Sequence, residues 1–149
     1  MNKYIWLIIA GVVIIGGGIG YSTFLRSEER APVTTGVVRE ITITAKENEW
    51  RFAPEIIEVD RGDTIKLIVV NEDDYDHGIG IDAFGISQRI PAKQTIKTEF
   101  VVTQAGEFPF FCSVPCGEGD TVIDGKTVHR THFDMIGKMH VRSIISETQ

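Results

Sequence analysis

Five side chains that can hold a soft metal ion are spread over the second half of the chain. His77 comes first, Cys112 and Cys116 follow in F-F-C-S-V-P-C-G, and His132 and Met135 close the set in H-F-D-M. Imidazole, thiolate and thioether together form a donor set that suits copper. One cysteine with two histidines and a methionine is enough for a single blue-copper ion. A second cysteine four residues on allows two thiolates to bridge two metal ions.

The same residues admit other readings. A C-x-x-x-C pair in a loop is awkward for a disulfide, and a disulfide leaves the imidazole and thioether partners unexplained. Cys112, Cys116, His129 and His132 spell C-x3-C-x12-H-x2-H, close to a zinc finger. Its last spacing is shorter than usual, the segment between reads as a hairpin rather than a helix, and His77 plays no part. A mononuclear blue site built from His77, one cysteine, His132 and Met135 is the nearer rival, and it leaves one thiol without a role. Taken singly, Met135 would read as core packing, as Met139 does, and His129 and His140 as structural or solvated.

The elements that must position these residues have a period of two. I-T-I-T-A puts Ile41, Ile43 and Ala45 on one face, I-K-L-I-V-V alternates Ile65, Leu67 and Val69, and I-K-T-E-F-V-V alternates Ile96, Thr98, Phe100 and Val102. Turn signals separate the runs at Asp60–Asp63, Asn71–Asp74 and Ala105–Gly106. Several short strands at regular spacing predict a β-sandwich or barrel. The acidic run Glu72–Asp76 reads as a solvated turn. Phe108, Phe110 and Phe111 read as core, and core packing is at least as good an account of Trp50.

The first residues differ from the rest. From Tyr4 to Leu25 no charge occurs in 22 residues, and a helix of that length spans about 33 Å, enough for a hydrocarbon core of roughly 30 Å. The run is longer than the apolar core of a secretory signal and has no A-x-A site, so an uncleaved single-pass anchor is expected over residues 1–27, then a tether over 28–36 and a folded domain over 37–149. A short N-terminal tail that stays inside places that domain on the extracytoplasmic side of the cell membrane. Beyond Ala31 the chain keeps 12 basic and 19 acidic residues, a net charge of −7. That balance disfavours nucleic acid and favours a cationic partner.

H-G-I-G-I, the gap of 35 to C-S-V-P-C-G, then H-x-x-M and the closing I-G-K-M-H-V resemble the CuA domain of cytochrome c oxidase subunit II. R-G-D-T and the W-R-F-A-P stretch at Trp50 are smaller matches, and the resemblance covers roughly residues 41–142. It implies an all-β, cupredoxin-like Greek-key sandwich holding a dinuclear copper centre. Cys112 and Cys116 would bridge both coppers, His77 and Met135 would complete one, and His132 and the backbone carbonyl of Val114 the other.

Two positions depart from the family pattern. Its second histidine normally lies four residues after the second cysteine, where this chain has Asp120. Asp124-Gly125 between two β-prone triplets is a type I′ hairpin signal, which makes about 118–131 a hairpin insertion. Pairing Ile123 with Lys126 runs the register back to Gly117 opposite His132, so the ligand loop stays closed at its base. At position 114 many oxidase subunits carry a glutamate that reaches a magnesium ion at the interface with the catalytic subunit; valine keeps the carbonyl and loses the carboxylate.

The expected function is one-electron transfer by a membrane-anchored copper protein, the non-catalytic subunit that receives electrons for a cytochrome c oxidase-type terminal oxidase. Its donor would be cationic, such as cytochrome c or a cupredoxin, and the oxidase catalytic subunit a second partner. A free-standing anchored carrier with a dinuclear or mononuclear site, and a copper-delivery or copper-binding protein, are the alternatives.

Overall fold

The structure, a computed structural model, describes residues 4, 5, 9–15 and 35–143. By its internal contacts the chain divides into residues 1–31 and 32–149. In the first unit residues 9–15 are helical. Among the described residues no helix is long and apolar enough to cross a membrane. Much of the expected anchor, including residues 16–27, and the start of the tether lie outside the described residues.

The second unit is all β. Its strands are β1 (Val38–Ala45), β2 (Phe52–Ala53), β3 (Ile56–Asp60), β4 (Thr64–Asn71), β5 (His77–Ile81), β6 (Ile86–Ile90), β7 (Thr95–Val101), β8 (Gly106–Phe111), β9 (Glu118–Ile123), β10 (Lys126–Thr131) and β11 (Ile136–Arg142). One sheet has the order β2-β1-β4-β7 and the other β3-β11-β8-β5-β6, while β9 and β10 form a separate ribbon. β1 runs parallel to β4, and β3 parallel to β11; the remaining neighbours are antiparallel.

Alternation explains which faces meet. Ile43 and Ala45 of β1 and Ile65, Leu67 and Val69 of β4 are fully buried, with the less buried Thr44, Lys66 and Ile68 between them. Val59, Ile79, Ile81, Phe110, Met139 and Val141 come from the other sheet into the same core. Phe52 of β2 meets Phe110 of β8 with ring centroids 5.8 Å apart, which ties the two sheets face to face. Fully burying such side chains is worth about 1.5–3 kcal/mol each, and this drives the sandwich together.

β5 departs from alternation, because all five residues of H-G-I-G-I are buried. It lies between β6 and β8, with one side against the core and the other under the loop that follows β8. A Cβ on Gly78 would stand 2.4 Å from Ser113 Oγ and 3.1 Å from the backbone nitrogens of Ser113 and Val114. Only glycine lets the cysteine loop lie this close to β5.

The ribbon follows the Asp-Gly signal. Asp124 and Gly125 both have positive φ, 53° and 75°, as a type I′ turn requires. Lys126 pairs with Ile123, His129 with Asp120 and Thr131 with Glu118, and the amide of His132 then donates to the Gly117 carbonyl at 2.9 Å.

Candidate metal centre

Each donor sits at the end of an element. His77 opens β5, the Cys112–Cys116 loop leaves β8, and His132 and Met135 occupy the 3-10 turn His132–Asp134 and its end, just before β11. Met135 is tied back to the cysteine loop by its carbonyl, which accepts from the Cys112 amide at 3.0 Å. The turn carrying His132 is held by a reciprocal cap. The Thr131 hydroxyl accepts from the Phe133 amide at 3.2 Å, and the Asp134 carboxylate accepts from the Thr131 amide at 2.7 Å. T-H-F-D has the Ser/Thr-x-x-acid spacing of a capping box, a signal for this support that lies in the sequence itself.

The donors converge. Cys112 Sγ and Cys116 Sγ lie 3.6 Å apart. His77 Nδ1 stands 3.7 Å from Cys112 Sγ, and His132 Nδ1 stands 3.6 Å from Cys116 Sγ. The Val114 carbonyl is 3.2 Å from Cys112 Sγ, and Met135 Sδ is 3.4 Å from Cys116 Sγ. Every residue expected to ligate is therefore within contact distance of a cysteine sulfur. The ligand atoms of His77, Cys112 and Cys116 all fall within 4.8 Å of one another. His77 and Met135 are fully buried, Cys112 and Cys116 nearly so, and His132 and Val114 reach the surface. His129 is exposed and paired with Asp120 at 2.8 Å, and His140 faces Glu107 at 3.4 Å; neither joins the cluster.

Electrostatics favour a negative charge at the thiols. The hydrogen bond shared with Cys116 is the main influence holding the Cys112 thiol far below its usual range, against burial and with help from His77, the Val114 backbone and the Gly78 amide. That amide donates to Cys112 Sγ at 3.4 Å. The same sulfur–sulfur contact, reinforced by burial, pushes Cys116 up, because two anions so close in a buried site repel. A cation between the sulfurs removes that conflict, and the donors fit copper: two soft thiols, two imidazoles, a thioether and a carbonyl.

Two supporting residues escaped the sequence reading. Asp73 lies in the acidic run expected to be a solvated turn, yet it is fully buried and its Oδ2 is 2.6 Å from His77 Nε2. Burial works against a charged His77 imidazole, but hydrogen bonds to Cys112 and Asp73 outweigh it and raise its pKa. The carboxylate accepts the Nε2–H hydrogen bond, which leaves Nδ1 turned to the cysteines. Trp50 is buried as core packing would have it, but it also donates Nε1–H to the Cys116 carbonyl at 3.1 Å. No local signal marks the Trp50 contact, since Trp50 and Cys116 are 66 positions apart, whereas Asp73 is only four positions from His77 and is hidden by the acidic composition of its run.

Comparison with known proteins agrees with this architecture. The cupredoxin-like domain family matches residues 19–123. Auracyanin A, a blue copper protein from Chloroflexus aurantiacus, is 18% identical with a TM-score of 0.53, covering 70% of this chain and 99% of its own. A chain of a heme-copper terminal oxidase dimer is 15% identical with a TM-score of 0.53 over 92% of this chain and 95% of that one. The periplasmic domain of cytochrome oxidase subunit II from Bradyrhizobium japonicum is 17% identical with a TM-score of 0.53, over 70% and 84%. No curated protein matches. With two sheets, a Cys-His-Met cluster at the strand ends and a family match over most of its length, the chain belongs to the cupredoxin-like domain family.

Proposed function

We propose that the cluster is a dinuclear CuA centre and that the chain is the electron-receiving subunit of a cytochrome c oxidase-type terminal oxidase, anchored in the membrane by Tyr4–Leu25. The observation that carries this reading is the near-symmetric pairing of the sulfurs. Each thiol touches one imidazole and one weak donor, Cys112 the His77 ring and the Val114 carbonyl, Cys116 the His132 ring and Met135. This grouping by sulfur crosses the expected grouping by copper, His77 with Met135 and His132 with Val114, as two shared thiolate bridges would allow. A site for one ion has no need of the second half of that arrangement.

When bound, copper supplies a one-electron couple. The chain contributes the rest. Cys112 and Cys116 provide soft anionic bridges, and strands on both sides hold the donors at nearly fixed distances, which keeps the rearrangement on electron transfer small. Met135, fully buried beside Cys116, excludes water. Electrons cross at His132, the imidazole that reaches the surface, beside Phe133, which is 80% exposed. The net charge of −7 beyond Ala31 favours a cationic donor such as cytochrome c or a cupredoxin. The fold shared with a chain of a heme-copper terminal oxidase is the ground for naming an oxidase as acceptor, and the fold shared with a periplasmic subunit II domain is the ground for an extracytoplasmic location.

A mononuclear blue site is the second reading. It is favoured by the surroundings of Cys116 alone, which has His132, Met135 and, within 4.8 Å, His77. Copper count with the electron paramagnetic resonance spectrum of the loaded chain separates the two. Two coppers per chain and one electron spread over two equivalent nuclei are expected; one copper with a single-nucleus pattern overturns the dinuclear centre.

A further inference from the structure

The hairpin formed by β9 and β10 is fastened to a turn far away in the chain, and that turn reaches all three ligand-bearing segments, the cysteine loop directly and the other two through Asp73 and Arg130. The turn is Lys46–Arg51, closed by the Lys46 amide on the Arg51 carbonyl at 3.1 Å and the Glu49 amide on the Lys46 carbonyl at 3.2 Å. Two of its residues, Asn48 at φ 54° and Trp50 at φ 44°, are in the left-handed region without being glycine. Such residues are strained and persist where surrounding contacts over-determine them.

Here the contacts lead to the metal donors. The Asn48 amide donates at 2.6 Å to Asp73 Oδ1, whose partner oxygen holds His77. The Trp50 indole donates to the Cys116 carbonyl. The Trp50 carbonyl accepts from Arg130 Nη2 at 3.4 Å, and the same nitrogen donates to the Asp134 carbonyl at 3.2 Å, between His132 and Met135. The indole also lies flush against the other strand of the hairpin. A Cβ on Gly119 would stand 2.4 Å from Trp50 Cη2, so a side chain there would lift the ring or the ribbon.

We propose that Trp50 and Arg130 are positioning residues of the copper centre, and that the hairpin is a clasp rather than an inert insertion. Trp50 holds the backbone of Cys116 in place. Arg130 joins that indole's residue to the turn carrying His132, so the second thiol and the second imidazole are set against each other by one connected group. The inference rests on the copper reading of the site. It gives the hairpin insertion a role beyond leaving the ligand loop closed at its base. Excising Gly119–Thr131 removes Arg130 and the floor under Trp50 together, and is expected to weaken the site even though it restores a short spacing.

The test uses the full chain with Trp50→Phe, which keeps a ring over Gly119 and loses the N–H, and with Arg130→Ala. In the metal-free protein the rate of alkylation of Cys116 is followed by peptide mass spectrometry, with Cys112 as internal control. In the loaded protein the visible spectrum and copper affinity against a chelator are measured. Both variants are expected to alkylate Cys116 about tenfold faster than the native chain, to shift the copper absorption bands, and to bind copper about 10- to 100-fold more weakly, as loss of outer-shell support does elsewhere. Unchanged Cys116 reactivity and an unchanged spectrum in the folded variants overturn the clasp. Should Trp50→Phe fail to fold, Arg130→Ala on the ribbon decides by the same readings. Failure of the native chain to take up copper overturns the copper reading instead, and the alkylation rates then decide the clasp alone.

Discussion

Asp73 Oδ2 lies 2.6 Å from His77 Nε2, with both side chains fully removed from solvent. A carboxylate on the far nitrogen of a ligating imidazole fixes its tautomer and its direction. Asp73→Ala is expected to weaken copper binding about 10- to 100-fold in competition with a chelator. Asp73→Asn, which retains an acceptor oxygen, should lose less. Equal affinity in Asp73→Ala and the native chain would show that His77 is held by its strand alone.

The paired sulfurs set a second expectation. Cys112→Ser or Cys116→Ser should abolish the dinuclear signature, because a hydroxyl is a poor soft bridge. Met135→Leu, a volume-conserving change at a fully buried position, should cost less than about 1.5 kcal/mol of stability and leave two coppers bound at a shifted potential. Copper analysis and voltammetry check both. An intact blue spectrum in Cys112→Ser would favour the mononuclear site around Cys116.

The ribbon register distinguishes two histidines. His129 pairs with Asp120, three rungs from the base, or roughly 10 Å at about 3.4 Å per residue. His129→Ala should leave the visible and magnetic spectra unchanged. His132→Ala should disrupt them, and the opposite pattern would reverse the assignment.

Gly78→Ala places a methyl group 3.1 Å from the backbone nitrogens of Ser113 and Val114 and closer still to Ser113 Oγ. Overpacking of this kind costs about 1–3 kcal/mol. Since the loop that must give way carries both cysteines, thermal unfolding and copper affinity should fall together. Ser113→Ala in the same chain removes the nearest atom and should recover part of the loss.

Asp63 contributes to the acid limb of stability. Burial opposes its ionisation, but hydrogen bonds from Arg39, the Asp60 amide and Thr35 outweigh this and hold its carboxyl below the usual carboxylate range. The folded state therefore binds this proton less readily than the unfolded chain does. Its contribution is complete above the ordinary Asp pKa of about 4 and is lost as pH falls through the depressed value. Asp63→Asn should cost about 1–3 kcal/mol at neutral pH and flatten the decline of unfolding free energy below about pH 4, followed by denaturant titration.

Local chemistry was sufficient for much of this protein. The two-residue period of Ile43-Ala45 and Ile65-Leu67-Val69 assigns strands and their inward faces, because successive side chains of a strand must point to opposite sides. Asp124-Gly125 dictates the turn, and the turn dictates the register that brings His132 to Gly117. The donor types and spacings named the metal class. Tertiary structure decided which polar groups support those donors. Asp73 stands in a run with the composition of a solvated turn and becomes the buried partner of His77 only because β5 is covered on both sides. The 3.6 Å between two sulfurs, the indole of Trp50 on the Cys116 carbonyl and the reach of Arg130 back to Trp50 depend on where separate segments come to rest in the packed sandwich. Periodicity reports which way a side chain faces, whereas contacts across tens of residues form only once the whole core has closed.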